Sequence, residues 1–217
     1  MLSKNARLFA FFTCFITWAG LVLQYYIVVK NADKIGLTAI ESTTQFFGYF
    51  TILSNILVAI SLTAVLYRRG PLYRFFSNFS SQTAVGVYIF LVGLGYNILL
   101  RHLYELKGLQ IIANEIQHLI VPVLYTLYWL FFLPKSRLSW KNILPWLIFP
   151  FFYVVFALIR GTIDGFYPYP FIDVKDLGYA AVIKNAAGLL VVLVIVSVLF
   201  IGVARMSEPR FKGFKGL

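Results

Sequence analysis

The sequence predicts an all-α, polytopic integral membrane protein with six transmembrane helices and both termini in the cytoplasm. Three observations lead there. The chain of 217 residues is 60% hydrophobic and only 12% charged, whereas soluble domains carry roughly 25% charged residues. Six stretches of 18 to 26 residues contain no Lys, Arg, Asp or Glu, and about 20 apolar residues in a helix cross a hydrocarbon core of ~30 Å. The basic residues, finally, gather on one side of the pattern those stretches define.

The spans run over about 8–29, 44–67, 78–100, 116–134, 142–160 and 182–204, and the whole chain, 1–217, reads as one membrane domain. The first is longer than the ~7–15 apolar residues of a signal peptide and precedes no small-residue cleavage site, so it is expected to remain in the mature protein. The second enters near Ser42 and carries Thr51, Ser54 and Asn55 in YFTILSN (49–55), with Thr51 expected two to three turns in. The third ends with Asn97 and Arg101 one turn apart on one face. The fourth opens with His118 and has Pro122 one turn later. The fifth contains Pro145 and Pro150 and exits at Arg160; the sixth begins with Lys184 and Asn185. Prolines kink such helices, and neighbouring groups re-satisfy the carbonyls they free. The alternating ten-residue strands of a membrane barrel are absent, as is an internal repeat of the inverted-transporter kind. The connections leave no room for a soluble domain. With Cys14 as the one cysteine, no intrachain disulfide or Cys-pair metal site is possible.

Charge orients the chain. The N-terminus and the connections after spans two, four and six hold 12 of the 19 basic residues, with Glu208 the one acid there. The other side holds seven basic and seven acidic residues, so the net is +11 against 0. Positive residues stay inside, and the tail RMSEPRFKGFKGL is expected to touch anionic headgroups. The overall +11 therefore reflects membrane topology, and no nucleic-acid partner is expected.

By depth, nearly every polar group in or near the membrane falls in the extracytoplasmic half. Ionisable groups are costly in the membrane and mark sites when several share a level. The plainer reading is also open: Arg101, Arg160 and Lys184 as snorkelling side chains, and Thr51, Ser54 and Asn55 as helix-bridging or back-bonding groups. His118 is the residue type that titrates near neutral pH and serves as a general base. His102 lies beside Arg101 in an outer connection and reads as solvated. Two histidines are too few for most histidine-based metal sites, so no metal or cofactor is expected. No G-x-S-x-G, H-E-x-x-H or phosphate-binding glycine loop occurs.

FFGYFTILSNIL (46–57), HLIVPVLYTLYWLFF (118–132) and GFYPYPFID (165–173), in this order and with six spans, resemble the androgen-induced-protein family, whose bacterial branch is known as Pr-six-Pr. The resemblance covers most of the chain. It implies an intramembrane hydrolase of fatty acid esters of hydroxy fatty acids or similar amphiphilic esters, in the inner membrane of a bacterium. It implies that Thr51 is the nucleophile and His118 its base. A threonine hydroxyl attacks only when a base takes its proton, and the oxyanion that follows needs donors. Asn55, Asn97 and Tyr169 are candidates for that support by depth. Arg101, Arg160 and Lys184 are candidates to hold a substrate carboxylate. The competing expectations are a lipid or small-molecule carrier and a scaffold whose polar groups only pack helices.

Overall fold

A computed structural model describes residues 3–133 and 138–206. The basic tail beyond Met206 and residues 134–137, including Lys135 and Arg137, lie outside the described residues. Among the described residues the regular structure is entirely helical, and six helical spans are long and apolar enough to cross a membrane. This is an all-α polytopic membrane architecture. Phe11, Phe15, Phe151, Phe152, Ile195 and Leu199 stand exposed on its flanks, where a soluble protein would place charge.

The first span is α1 (Lys4–Lys30), capped by the Ser3 hydroxyl, which accepts from Ala6 N–H at 3.2 Å. A short helix, α2 (Ala39–Phe46), precedes α3 (Phe50–Tyr67). After α4 (Gly70–Phe76) comes α5 (Phe79–Gly95), which continues into a π-helical turn at Tyr96–Leu100. The fourth span is α6 (Leu109–Glu115), a second π-helical turn at Ile116–Ile120, and α7 (Val121–Phe132). The fifth is α8 (Ile143–Trp146) and α9 (Ile148–Asp164); the sixth is α10 (Val174–Met206), bent at Gly178. In α3 and α5 56% of span residues are buried, against 17% in the α8–α9 span, so α3 and α5 form the centre. α3 packs between α1 and α5, α5 also packs on α7, and α10 lies against α5. The core is built from Val58, Leu62, Val87, Ile89, Val121 and Leu193, with Tyr125 and Tyr128 wholly enclosed.

Two features differ from the sequence expectation, and both bear on Thr51 and His118. Span two is not one helix from Ser42: the chain breaks at 47–49, so Thr51 sits in the first turn of a new helix rather than two to three turns into an old one. Span four starts at Leu109, so His118 lies within the helix and not at its opening. Hydropathy averages over a window and cannot detect a break whose polar groups are served from elsewhere in the fold.

The prolines account for the cross-links between spans. In an α-helix the carbonyl of residue 118 would accept from the N–H of residue 122, which Pro122 lacks. The carbonyl of Gln117 would accept from Val121, but in the π turn Val121 N–H donates to Ile116 O instead. Both orphaned carbonyls are taken by asparagines: Asn97 Nδ2 donates to His118 O at 3.0 Å, and Asn55 Nδ2 to Gln117 O at 3.4 Å. Pro150 likewise removes the donor for Trp146 O, which accepts from Tyr88 Oη at 2.6 Å. α5 and its π turn thus serve the proline-freed carbonyls of two other spans. Gly93 permits the close approach: a Cβ there would lie 2.8 Å from Pro122 Cβ.

Candidate active site

The break before α3 is made by groups from span five. Arg160, buried at 8% exposure, donates from Nη1 to Thr44 O at 2.6 Å, satisfying a carbonyl at the end of α2. Its Nε pairs with Asp164 at 2.9 Å and its guanidinium lies 4.7 Å from the Phe166 ring centroid. Tyr153 Oη donates to Gly48 O at 3.1 Å. Gly48 has no Cβ for good reason, since one would collide with the Arg160 guanidinium. The chain can therefore stop one helix and start another inside the bundle.

A new helix has unserved N–H groups in its first turn, and Thr51 carries one of them. It donates to Tyr169 Oη at 3.2 Å, and Thr51 Oγ1 lies 3.3 Å from the same phenol oxygen. Tyr169 comes from the connection between spans five and six. Phe171 stacks on its ring, with centroids 5.1 Å apart and planes 6° from parallel. Burial pushes the Tyr169 phenol above its ordinary pKa, so it stays protonated at neutral pH. The position of Thr51 also matters electrostatically: the first turn of a helix carries partial positive charge, which favours an anion forming there.

Asn55 lies one turn below. Both hydrogens of its amide are committed, to Thr51 O at 2.9 Å and to Gln117 O, while its Oδ1 is buried without a partner. Asn97 is similarly committed, to Gly93 O at 2.8 Å and to His118 O. Neither amide has an N–H left for an oxyanion; both position main chain around the site. Tyr169 is the one of the three that touches Thr51 Oγ1.

His118 stacks on Tyr96, centroids 3.8 Å apart and planes 23° from parallel, so one π turn clamps the ring of the other. Its Nδ1 is 3.0 Å from Asn114 O. A carbonyl only accepts, so in the neutral ring the proton is assigned to Nδ1, and Nε2 is the basic nitrogen. No hydrogen bond joins His118 to Thr51, but both line one cavity.

That cavity, of about 400 Å³, sets polar groups among otherwise apolar walls: Thr51, Tyr169, His118, Gln117, Gln45 and Ser42 line it, and it is the more polar of the two cavities at Thr51. Ser42 Oγ is buried there without a hydrogen-bond partner. A second cavity of about 390 Å³ is apolar, lined by residues of α5, α9 and α10 that include Leu91, Phe151, Val154, Leu190 and Leu193. Thr51 and Tyr169 line both cavities, together with Tyr96 and Leu100. The hydroxyl pair therefore stands at the partition between an apolar and a polar chamber.

The three cations expected near a carboxylate line neither chamber. Arg101 is paired with Glu115 at 2.8 Å and donates to Asn97 Oδ1. Arg160 is the clamp described above, and Lys184 is exposed on α10. The residues of the site that had no part in the sequence expectation include Tyr96, Gln117 and Tyr153. Pro122 was the available signal for the first two, because a proline one turn after His118 requires a partner helix to serve the freed carbonyl. Among the described residues no group of three or more His, Cys, Asp or Glu side chains gathers as a metal site would require. No family model, curated protein or solved structure matches the chain.

Proposed function

We propose that this protein is an intramembrane lipid esterase of the threonine type, acting on fatty acid esters of hydroxy fatty acids or similar amphiphilic esters. One observation carries the reading: Thr51 lies in the first turn of α3, at the partition between an apolar and a polar cavity. An amphiphilic ester has its scissile bond at the same kind of boundary. Thr51 Oγ attacks the ester carbonyl carbon while its proton passes to His118 Nε2. The bond to the alcohol oxygen breaks, and that oxygen takes the proton back from Nε2. Water then adds to the acyl-threonine ester and releases the fatty acid. Tyr169 O–H and the first turn of α3 stabilise the oxyanion. His118 is held by Tyr96 on one face and Asn114 O at Nδ1, which leaves Nε2 to do the proton transfer. The chemistry asks for no cofactor. The charge asymmetry supports both termini cytoplasmic and the site in the extracytoplasmic half, and the family resemblance suggests a bacterial inner membrane.

A carrier that binds a lipid without cleaving it is the second reading. It is favoured by one observation, the lack of a hydrogen bond between Thr51 and His118. The test is hydrolysis by the purified protein in detergent, beside Thr51→Ala and His118→Ala, together with labelling by an alkyl fluorophosphonate. Wild-type hydrolysis lost by at least ~10²-fold in both folded variants, with label on Thr51 only when His118 is present, supports the esterase. Ligand binding that survives Thr51→Val, with no ester cleaved, moves the carrier to the front.

A further inference from the structure

The end of the bundle that holds Thr51 has seven basic residues among those described: Lys30, Lys34, Arg101, Lys107, Arg160, Lys175 and Lys184. Arg101 and Arg160 are neutralised by Glu115 and Asp164. Lys175 donates to Gly165 O at 3.2 Å. Lys30, Lys34 and Lys107 form no ion pair among the described residues, although Asp33 and Glu105 are near them in the chain. These three come from the end of α1, the turn after it and the segment before α6. They converge on one cavity of about 330 Å³, with the Lys30 ammonium 5.2 Å from the Tyr26 ring centroid.

This cavity adjoins the polar chamber. Ile27, Asn31 and Gln110 line both, and Lys30 is one helical turn beyond Ile27. The lining of the lysine cavity includes no carboxylate. Three compartments therefore follow one another: apolar, then neutral and polar with Thr51 at the partition, then cationic. The polar chamber holds no lysine or arginine, and an unpaired anion buried in it would be costly. An anion finds a favourable place beyond it, where the exposed side chains of three lysines without ion-pair partners among the described residues line an open recess.

We propose that Lys30, Lys34 and Lys107 bind the anionic end, carboxylate or phosphate, of the amphiphile whose ester bond lies at Thr51. The proposal rests on the esterase reading for the place of the ester, and on the three cavities for the place of the charge. It gives the substrate a polarity: acyl chain among α5, α9 and α10, anion at the end of α1.

The test compares a palmitoyl ester of a hydroxystearic acid, as free acid and as methyl ester, on the full chain in neutral detergent. The variants are Lys30→Gln/Lys34→Gln/Lys107→Gln and, as control, Lys184→Gln. For the free acid, the triple variant is expected to raise KM about tenfold or more at unchanged kcat, because rim charges act on binding. The methyl ester and the control should not change, and high salt should reproduce the loss in the wild type. An unaltered KM for the free acid in the triple variant overturns the proposal. Equilibrium binding of both esters to Thr51→Ala separates this from failure of the esterase reading. If no ester is cleaved by the wild type, tighter binding of the free acid that the triple variant abolishes still supports the lysine site, and equal binding of the two overturns it. Competition by a single-chain carboxylate or a single-chain phosphate, lost in the triple variant, supports the site and names its anion; competition by neither overturns it.

Discussion

Asn55 and Asn97 each direct both amide hydrogens to main-chain carbonyls, and this sets them apart from Tyr169, whose hydroxyl meets the Thr51 side chain. The two kinds of residue should fail differently. Asn97→Leu leaves His118 O buried and unserved, which costs about 1–3 kcal/mol; the expected result is a lower Tm in detergent as well as lost activity. Tyr169→Phe keeps the ring and its Phe171 stack but leaves Thr51 N–H without its acceptor, so a modest fall in Tm is expected, and the kinetics carry the distinction. Its kcat should fall by ~10²–10³ while KM stays close to wild type, as expected for a donor used mainly in the transition state. Steady-state kinetics with a soluble nitrophenyl ester distinguishes the two. At this scale the sequence exposes residue type and approximate depth, which leave Thr51, His118 and Tyr169 among several polar candidates; the family resemblance is what implies roles for Thr51 and His118. The sequence does not expose commitment. Asn55 and Asn97 look like free donors until the carbonyls across the helix gap are known, and Arg160 looks like a carboxylate ligand until Thr44 O and Asp164 are seen to occupy it.

At the scale of elements, the spans are legible because hydropathy is additive along the chain, and six charge-free runs need no partner to be recognised. The break at 47–49 and the two π turns are not, because each depends on groups far away in sequence. Tyr153 and Arg160 make the first possible, and Asn97 serves the carbonyl that Pro122 frees in the second. The π turn should therefore be sensitive to its proline. Pro122→Ala restores an N–H that competes with Asn97 for His118 O and lets the turn relax toward an α-helix. We expect Tm to stay level or rise, since a carbonyl gains a local donor, and ester hydrolysis to fall by at least ~10-fold as the His118 ring leaves its Tyr96 stack. Thermal unfolding and hydrolysis measured on the same preparation would test this; retained activity would mean that the π turn does not position the imidazole.

At the scale of the whole molecule, the six spans among the described residues put Lys4 and Met206 on one side, and charge selects which side. Cys14 is buried, so single cysteines introduced elsewhere can be labelled against a low background. A cysteine at Glu105 should react with a membrane-impermeant maleimide in intact cells, and one at Lys141 should react only after permeabilisation. The reverse pattern would invert the topology and move the site to the cytoplasmic half. The charge count was legible without coordinates because it needs only the order of spans. The three chambers were not, since their walls come from nearly every helix.

The bond between Thr51 and Tyr169 joins residues 118 positions apart, and its partner sits in the last connection of the chain. Spans enter the bilayer in the order of synthesis, so a nascent chain holds Thr51 and His118 well before it holds Tyr169. The apolar chamber closes later still, when α10 packs against α5. The surroundings of Thr51 are thus completed only after translation has passed the sixth span. A chain truncated between spans four and five would carry Thr51 and His118 without the phenol that meets the Thr51 hydroxyl.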